Sequence, residues 1–254
     1  MLQKMKKIVL TMMMLAAAGI GALQAQNNFS LRLGVALPTG DYADATADYA
    51  NDVLRYGLID NTKKGGAGKG ITAGMQYKIG INSVKGLGVV LSADVFFNSV
   101  NTDVRDFFEE EIDEEESSTY ELDYTLPKYI HIPAMIGLNY TYDLNESIAL
   151  FGEGALGANV RMLTKFEIYQ ATSTQERIDE ANYNIATAFA FRLGGGIMLN
   201  KHYTIGIDYY NHGTSKVVGE MTSEVNGVSQ AGSTKLKGGK IAATNIAIRL
   251  GINF

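Results

Sequence analysis

The sequence predicts an all-β fold, an eight-stranded antiparallel transmembrane β-barrel, on three observations. In residues 241–254, Phe254, Ile252, Leu250, Ile248 and Ile246 share one parity, while Asn253, Gly251, Arg249, Ala247 and Asn245 share the other. A strand with one apolar and one polar face, ending on an aromatic ring, is how a membrane barrel closes. Seven earlier segments repeat the same period of two. After residue 25, no segment holds the roughly 18 consecutive apolar residues of a membrane helix.

The chain begins with a leader. Lys4, Lys6 and Lys7 precede an apolar run over 8–21, and Ala22-Leu23-Gln24-Ala25 offers small residues for cleavage after Ala25. The run is too short for a membrane anchor and its basic flank lies on one side only, so residues 1–25 are expected to be a secretory signal peptide. Residues 26–254 are then a single barrel domain. They carry 19 basic and 27 acidic residues, net −8, which argues against a nucleic-acid partner. Cysteine is absent, which excludes disulfides, thiol chemistry and a cysteine-linked lipid. With 28 glycines, 14 tyrosines and only three prolines, the composition suits strands in close backbone contact.

The eight strands are expected near 29–38, 70–81, 88–100, 128–142, 147–163, 186–199, 202–212 and 241–254. Their apolar parities include Leu31, Leu33 and Val35; Ile71 and Ile79; Leu91 and Phe97; Ile136 and Leu138; Leu150 and Leu156; Phe189 and Leu193; Ile205 and Ile207; and the terminal set above. Each segment reaches the roughly 9–11 residues that a tilted strand needs to cross a bilayer. Connections over 82–87, 143–146 and 200–201 are short, and those over 39–69, 101–127, 164–185 and 213–240 are long. Short periplasmic turns and four long extracellular loops follow, with both termini in the periplasm. Pro133 cannot donate to a ladder, so a bulge is expected there.

Side-chain volume decides which face is inside. An eight-stranded barrel is narrow. The non-apolar parity is rich in Gly34, Ala36, Gly74, Gly157, Gly194, Gly196, Gly206 and Gly251, which fit within it, so the bulky parity faces lipid. Phe29, Tyr77, Tyr140, Tyr142 and Tyr203, with Phe254, gather near the short-turn end as membrane-interface aromatics. Ile248, Leu250, Ile252 and Phe254 are read as the C-terminal assembly signal.

The inward face carries charges: Arg32, Lys78, Asp94, Glu153, Arg161, Arg192, Asp208 and Arg249, with Gln76 and His131 beside them. Glu153, Arg192, Asp208 and Arg249 fall at similar heights on consecutive strands, and their signs alternate. Neighbouring strands about 4.8 Å apart let such side chains touch. Two readings are open: a salt-bridged plug, or a gate whose pairs exchange partners. A catalytic carboxylate pair is disfavoured, because Arg192 between Glu153 and Asp208 keeps both ionised.

The segment 103–123 holds eleven acidic residues against Arg105, net −10, without the spacing of a calcium loop. It is expected to be a solvated, mobile loop, the alternative being loose divalent-cation binding that bridges to lipopolysaccharide or a partner. Val104, Phe107, Phe108 and Ile112 within it sit at helical spacing and could form a short helix over the barrel mouth. The three histidines do not cluster in sequence, and no metal or cofactor is expected. His212 and Ser215, spaced His-Gly-Thr-Ser, depart from the His-x-Ser of outer-membrane lipid hydrolases, and no enzyme activity is expected.

Two stretches carry a resemblance. The residues 34–42, Gly-Val-Ala-Leu-Pro-Thr-Gly-Asp-Tyr, and 129–140, Tyr-Ile-His-Ile-Pro-Ala-Met-Ile-Gly-Leu-Asn-Tyr, resemble the outer membrane protein beta-barrel domain (porin-family) proteins of Gram-negative bacteria. The architecture is similar to OmpA- and OmpX-type barrels. The resemblance implies a cell-surface protein of the outer membrane, monomeric, in contact with membrane lipid and lipopolysaccharide and inserted by the barrel-assembly machinery through its C-terminal strand. The expected function is structural or adhesive, with loops displayed to an extracellular partner; the alternative is a small gated pore for small solutes.

Overall fold

A computed structural model describes residues 28–44, 65–115 and 120–254. The leader expected over 1–25 and the middle of the first long connection lie outside them. The elements are β1 (Asn28–Pro38), β2 (Ala67–Gly80), β3 (Leu87–Val100), α1 (Thr102–Glu115), β4 (Tyr120–Thr125), β5 (Tyr129–Asp143), β6 (Ile148–Leu163), β7 (Phe166–Thr172), β8 (Glu176–Tyr183), β9 (Ala186–Leu199), β10 (Tyr203–Val225), β11 (Val228–Ser229) and β12 (Thr234–Asn253). Eight of the strands form a closed antiparallel ring in the order β1-β2-β3-β5-β6-β9-β10-β12, with β12 returning to β1 through Ser30↔Asn253 to Pro38↔Asn245. All eight expected strands are present.

The apolar parity is outside. Leu33 is 66% exposed and Leu250 63%, whereas inward Arg192 and Tyr210 are fully buried. The aromatic rings near the short turns lie on this outer face, where Phe29 pairs with Tyr77 and stands 6.3 Å from Phe254. Tyr140, Tyr142 and Tyr203 are exposed beside them. A second aromatic group, Phe97, Phe189 and Tyr209, is exposed toward the other end. Along β3, ten residues separate the level of Tyr140, opposite Leu87, from Phe97. At about 3.3 Å per residue and a tilt of about 40°, they span roughly 25 Å, the height of a lipid-facing apolar band.

The ladder at Pro133 differs from expectation. Ala93↔Ala134 and Phe96↔His131 bracket it without a register shift, and Pro133↔Asn159 holds the β6 side. The missing N–H is met by a lapse of pairing toward β3 rather than by an inserted residue.

The long connections are not simple loops. β10 and β12, of 23 and 20 residues, rise above the barrel, and β8, β7 and β4 add to β10 in an outer sheet. Two irregularities make this continuation. Between Asn211 and Thr214, β10 holds one residue more than its partner; between Lys216 and Val218, β12 does. A one-residue slip reverses the faces of a strand. The inward set on β10 thus changes from Tyr210 and His212 to Val217, and on β12 from Ile241 to Leu236, all buried. These join Tyr42, Val104, Tyr129, Phe166 and Ile168 in an apolar core above the barrel. α1 starts at Asn101, whose side-chain oxygen accepts the Asp103 N–H at 3.1 Å, and it buries Val104. The side chains of Phe107, Phe108 and Ile112 lie outside the described set.

Backbone conformation marks the turns. Asn200 and Lys201 both have positive φ, 50° and 63°, as do Asn226 and Gly227 at the β10–β11 hairpin, 49° and 75°. Lys201→Gly should raise the unfolding free energy measured by urea titration in lipid vesicles by about 1 kcal/mol, because a left-handed conformation costs a residue with a Cβ roughly that much. Gly213, at φ 79° in the β10 bulge, faces the Phe189 carbonyl, which an added Cβ would overlap. Gly213→Ala should lower the same free energy by at least about 1 kcal/mol.

Candidate functional site

The lumen is the candidate site, and the cross-strand register explains how charge fits inside it. Five of the six ionised side chains of the central layer sit opposite glycine; the sixth, Arg192, pairs with Ala155 and Tyr210. Arg32 pairs with Gly74 and Gly251, and Arg249 with Gly34 and Gly206. Asp94 pairs with Gly74, and Glu153 and Asp208 both pair with Gly194. A Cβ on Gly74 would overlap Asp94 Oδ1, and one on Gly194 would overlap Asp208 Oδ1. The glycines supply the space in which long polar side chains lie across the barrel.

Asp94 is the centre of this layer. Its Oδ1 takes hydrogen bonds from Arg32 Nη2 and Arg249 Nη1, both at 3.1 Å, and its Oδ2 accepts from the Tyr210 hydroxyl at 2.9 Å. Arg192 Nη1 stands 3.6 Å from Oδ2. Glu153 lies 3.0 Å from Arg192 Nη2 and 3.2 Å from Arg32 Nη1, and it accepts from Gln76 Nε2 at 2.8 Å. Asp208 binds Arg249 through Nη2 at 2.5 Å and Nε at 2.8 Å. Three guanidiniums face three carboxylates, all buried, and the cluster is neutral. Buried ions persist when each is paired and hydrogen-bonded.

Six of the eight charged residues selected from sequence therefore meet: Arg32, Asp94, Glu153, Arg192, Asp208 and Arg249. Two do not. Lys78 lies toward the short turns and donates to Thr141 Oγ1 at 2.8 Å. Arg161 lies toward the outer mouth, where Nη2 donates to the Ser215 carbonyl at 2.6 Å and Nη1 to that of Ile241 at 3.4 Å. Height along the strand separates them, since Arg161 is eight residues above Glu153 on β6, roughly 26 Å of chain.

A second layer, not anticipated, covers the charges on the outer side. His131 and His212, distant in sequence, stack with centroids 4.5 Å apart. Phe96 packs edge-on against Tyr210 and His212 at 4.6 and 4.7 Å. Asn159 Nδ2 donates to His131 Nδ1 at 3.1 Å, leaving Nε2 to bond the Tyr42 hydroxyl at 3.0 Å; Asn245 Nδ2 donates to His212 Nε2 at 3.1 Å. Tyr210 joins the layers, since Arg249 donates to its oxygen at 2.7 Å while its ring lies 5.6 Å from His212. Large residues on the parity otherwise reserved for small ones were the available signal for Phe96 and Tyr210. Above this layer stands the apolar outer core, and Tyr129 donates to the Gly65 carbonyl there.

Toward the short turns the lumen is open. A cavity of about 280 Å³ lies below the charge layer, lined by Asn28, Ser30, Lys78, Asn139, Thr141 and Asn253 and roofed by Arg32 and Arg249. On the outer sheet, Lys165 bridges Glu167 and Glu180, the latter at 3.0 Å. These bonds hold the Lys165 ammonium above its ordinary range, while bonds from Asn182 and Lys165 hold the Glu180 carboxyl below its own. Both groups are exposed to water, so the pair adds little stability.

Removing one partner from the buried cluster leaves an uncompensated charge. Glu153→Gln should lower the unfolding free energy in vesicles by about 3–5 kcal/mol. Gly74→Ala should lower it in the same direction by displacing Asp94. Unchanged urea midpoints for both variants would mean that the cluster does not hold the barrel together.

No family model matches the chain, and no curated protein matches it. Among solved structures the chain is similar to Ail, the attachment invasion locus protein of Yersinia pestis, at 13% identity over 91% of this chain and 100% of that one, with a TM-score of 0.35. It is similar to the Neisserial surface protein A at 11% identity over 90% and 96%, TM-score 0.42. It is also similar to the outer membrane protein OprG of Pseudomonas aeruginosa at 15% identity over 90% and 96%, TM-score 0.40. The closed ring, the outward apolar band and the salt-bridged interior make the chain an eight-stranded β-barrel of the outer-membrane type.

Proposed function

We propose that the chain is an integral outer-membrane protein whose work is structural or adhesive and resides in its outer head, not in conduction. The observation that carries this reading is the filling of the lumen. From Asp94 upward the interior is occupied in turn by the charge cluster, by the Phe96–His131–His212 layer and by the outer apolar core. Eight strands leave little room beyond that. The head, with its own core and a helix seated through Val104, is ordered enough to present a fixed surface.

In this reading residues 1–25 direct export and are removed, and residues 26–254 insert as a monomer. Ile248, Leu250, Ile252 and Phe254 serve the barrel-assembly machinery before they face lipid. The apolar band and aromatic rims contact membrane lipid and lipopolysaccharide, and the head meets a partner outside the cell. The second reading, a small gated pore, is favoured by the open cavity below the charge layer, which brings water to the plug.

Planar-bilayer recording separates the two. The refolded barrel, verified by heat-modifiable gel migration, should give no stable conductance. Steady channels that change when Arg192 or Glu153 is neutralised would replace the adhesive reading with the pore.

A further inference from the structure

Lys78 is a lumen cation that makes no direct ion pair among the described residues, although the carboxylates of Glu153 and Asp143 line the same cavity and attract it. The three arginines and three carboxylates above it balance, and among the described residues no carboxylate lies within 4.0 Å of its ammonium. Its stem passes over Gly88, where an added Cβ would come within 2.7 Å of Lys78 Cε. The ammonium thereby crosses β3 and reaches β5, where it meets only neutral acceptors, Thr141 Oγ1 at 2.8 Å and the Gly86 carbonyl at 3.5 Å.

The surrounding groups are arranged to donate. Thr141 Oγ1 gives its proton to Asn139 Oδ1 at 3.0 Å, so the Asn139 oxygen is occupied and its amide N–H groups remain. Across the cavity Ser30 Oγ has one proton to give and donates it to Asn253 Oδ1 at 2.7 Å, with Asn28 Oδ1 3.2 Å away. Asn28 sits directly opposite Lys78 in the β1–β2 register. In the roof, Glu153 is engaged by Gln76 and the arginines and Asp208 Oδ2 by Arg249, while Asp208 Oδ1 has only Arg192 Nε, 3.9 Å away. A partly buried cation beside amide N–H groups, in a cavity of about 280 Å³ that could hold several waters, is matched by an anion.

We propose that this cavity is a binding site for a compact oxyanion, a carboxylate or phosphate group of a small solute, held by Lys78 with the amides of Asn28 and Asn139. The site requires the folded barrel alone and is independent of whether the head is adhesive.

The test is an amide-shift titration of the isotope-labelled barrel in detergent micelles with sodium phosphate and with sodium acetate, against sodium chloride at matched ionic strength. Saturable shifts at Asn28, Gly88, Asn139 and Thr141 are expected with at least one oxyanion. Affinity should fall about tenfold or more in Lys78→Met and persist in Lys78→Arg. Asn139→Asp supplies an internal carboxylate and should abolish binding in a folded barrel, which keeps the test decisive if Lys78→Met does not fold. No saturable shift with either oxyanion, an equal response to chloride, or undiminished binding in Lys78→Met or Asn139→Asp would each overturn the proposal.

Discussion

The carboxylate of Asp94 holds the barrel interior together. Two guanidiniums donate to it, a third stands close by, and a tyrosine hydroxyl completes its shell. The groups arrive from β1, β3, β9, β10 and β12, so one anion ties five of the eight ring strands across the lumen. Membrane strands gain nothing from burying their apolar faces against one another, because lipid is equally apolar. Their hydrogen-bond ladders close the wall, and charge pairing fills the space within it. The glycines follow from that choice, since Arg32, Asp94, Glu153, Asp208 and Arg249 each lie across a cross-strand neighbour that has no Cβ.

Filling the lumen this way divides it. Water reaches the charge layer from the short-turn end through the cavity around Lys78. On the far side stand aromatic rings and two imidazoles, with both nitrogens of His131 and Nε2 of His212 met by asparagine amides and a tyrosine hydroxyl. The outer head then continues an apolar interior. Its long hairpins are extensions of barrel strands, stiffened by their own core, so the surface they present is set by the barrel beneath.

Much of this was legible from period-two alternation. Eight strands, the outward face and the alternation of Glu153, Arg192, Asp208 and Arg249 follow from parity and counting. The lengths of β10 and β12 do not, since β10 runs on beyond 212 and β12 starts before 241, in a segment expected to be loop. Parity says which way a side chain points, but reach and stagger decide which ones meet. Lys78 and Arg161 share the inward parity yet lie at other levels, and counting residues along β2 and β6 separates them from the cluster. The meeting of His131 with His212 depends on the closure of the whole ring, which no local pattern encodes. The outer sheet was hidden for another reason. β4, β7 and β8 are short and charged, with weak alternation. At Pro133 the expectation of a bulge assumed that a missing donor must be accommodated by an extra residue; a local gap in pairing suffices.

The two offset irregularities in β10 and β12 have a consequence for how such a surface can change. Each strand carries one surplus residue, on opposite partners and close together, so the hairpin above regains the register it had below. The joint therefore decouples the phase of the upper hairpin from that of the wall. Segments beyond Val218 and before Lys237 can be lengthened, shortened or exchanged in matched pairs without turning any lipid-facing side chain inward. Length changes in the head are thereby confined to the hairpin above the second irregularity, and the membrane-spanning wall keeps its faces.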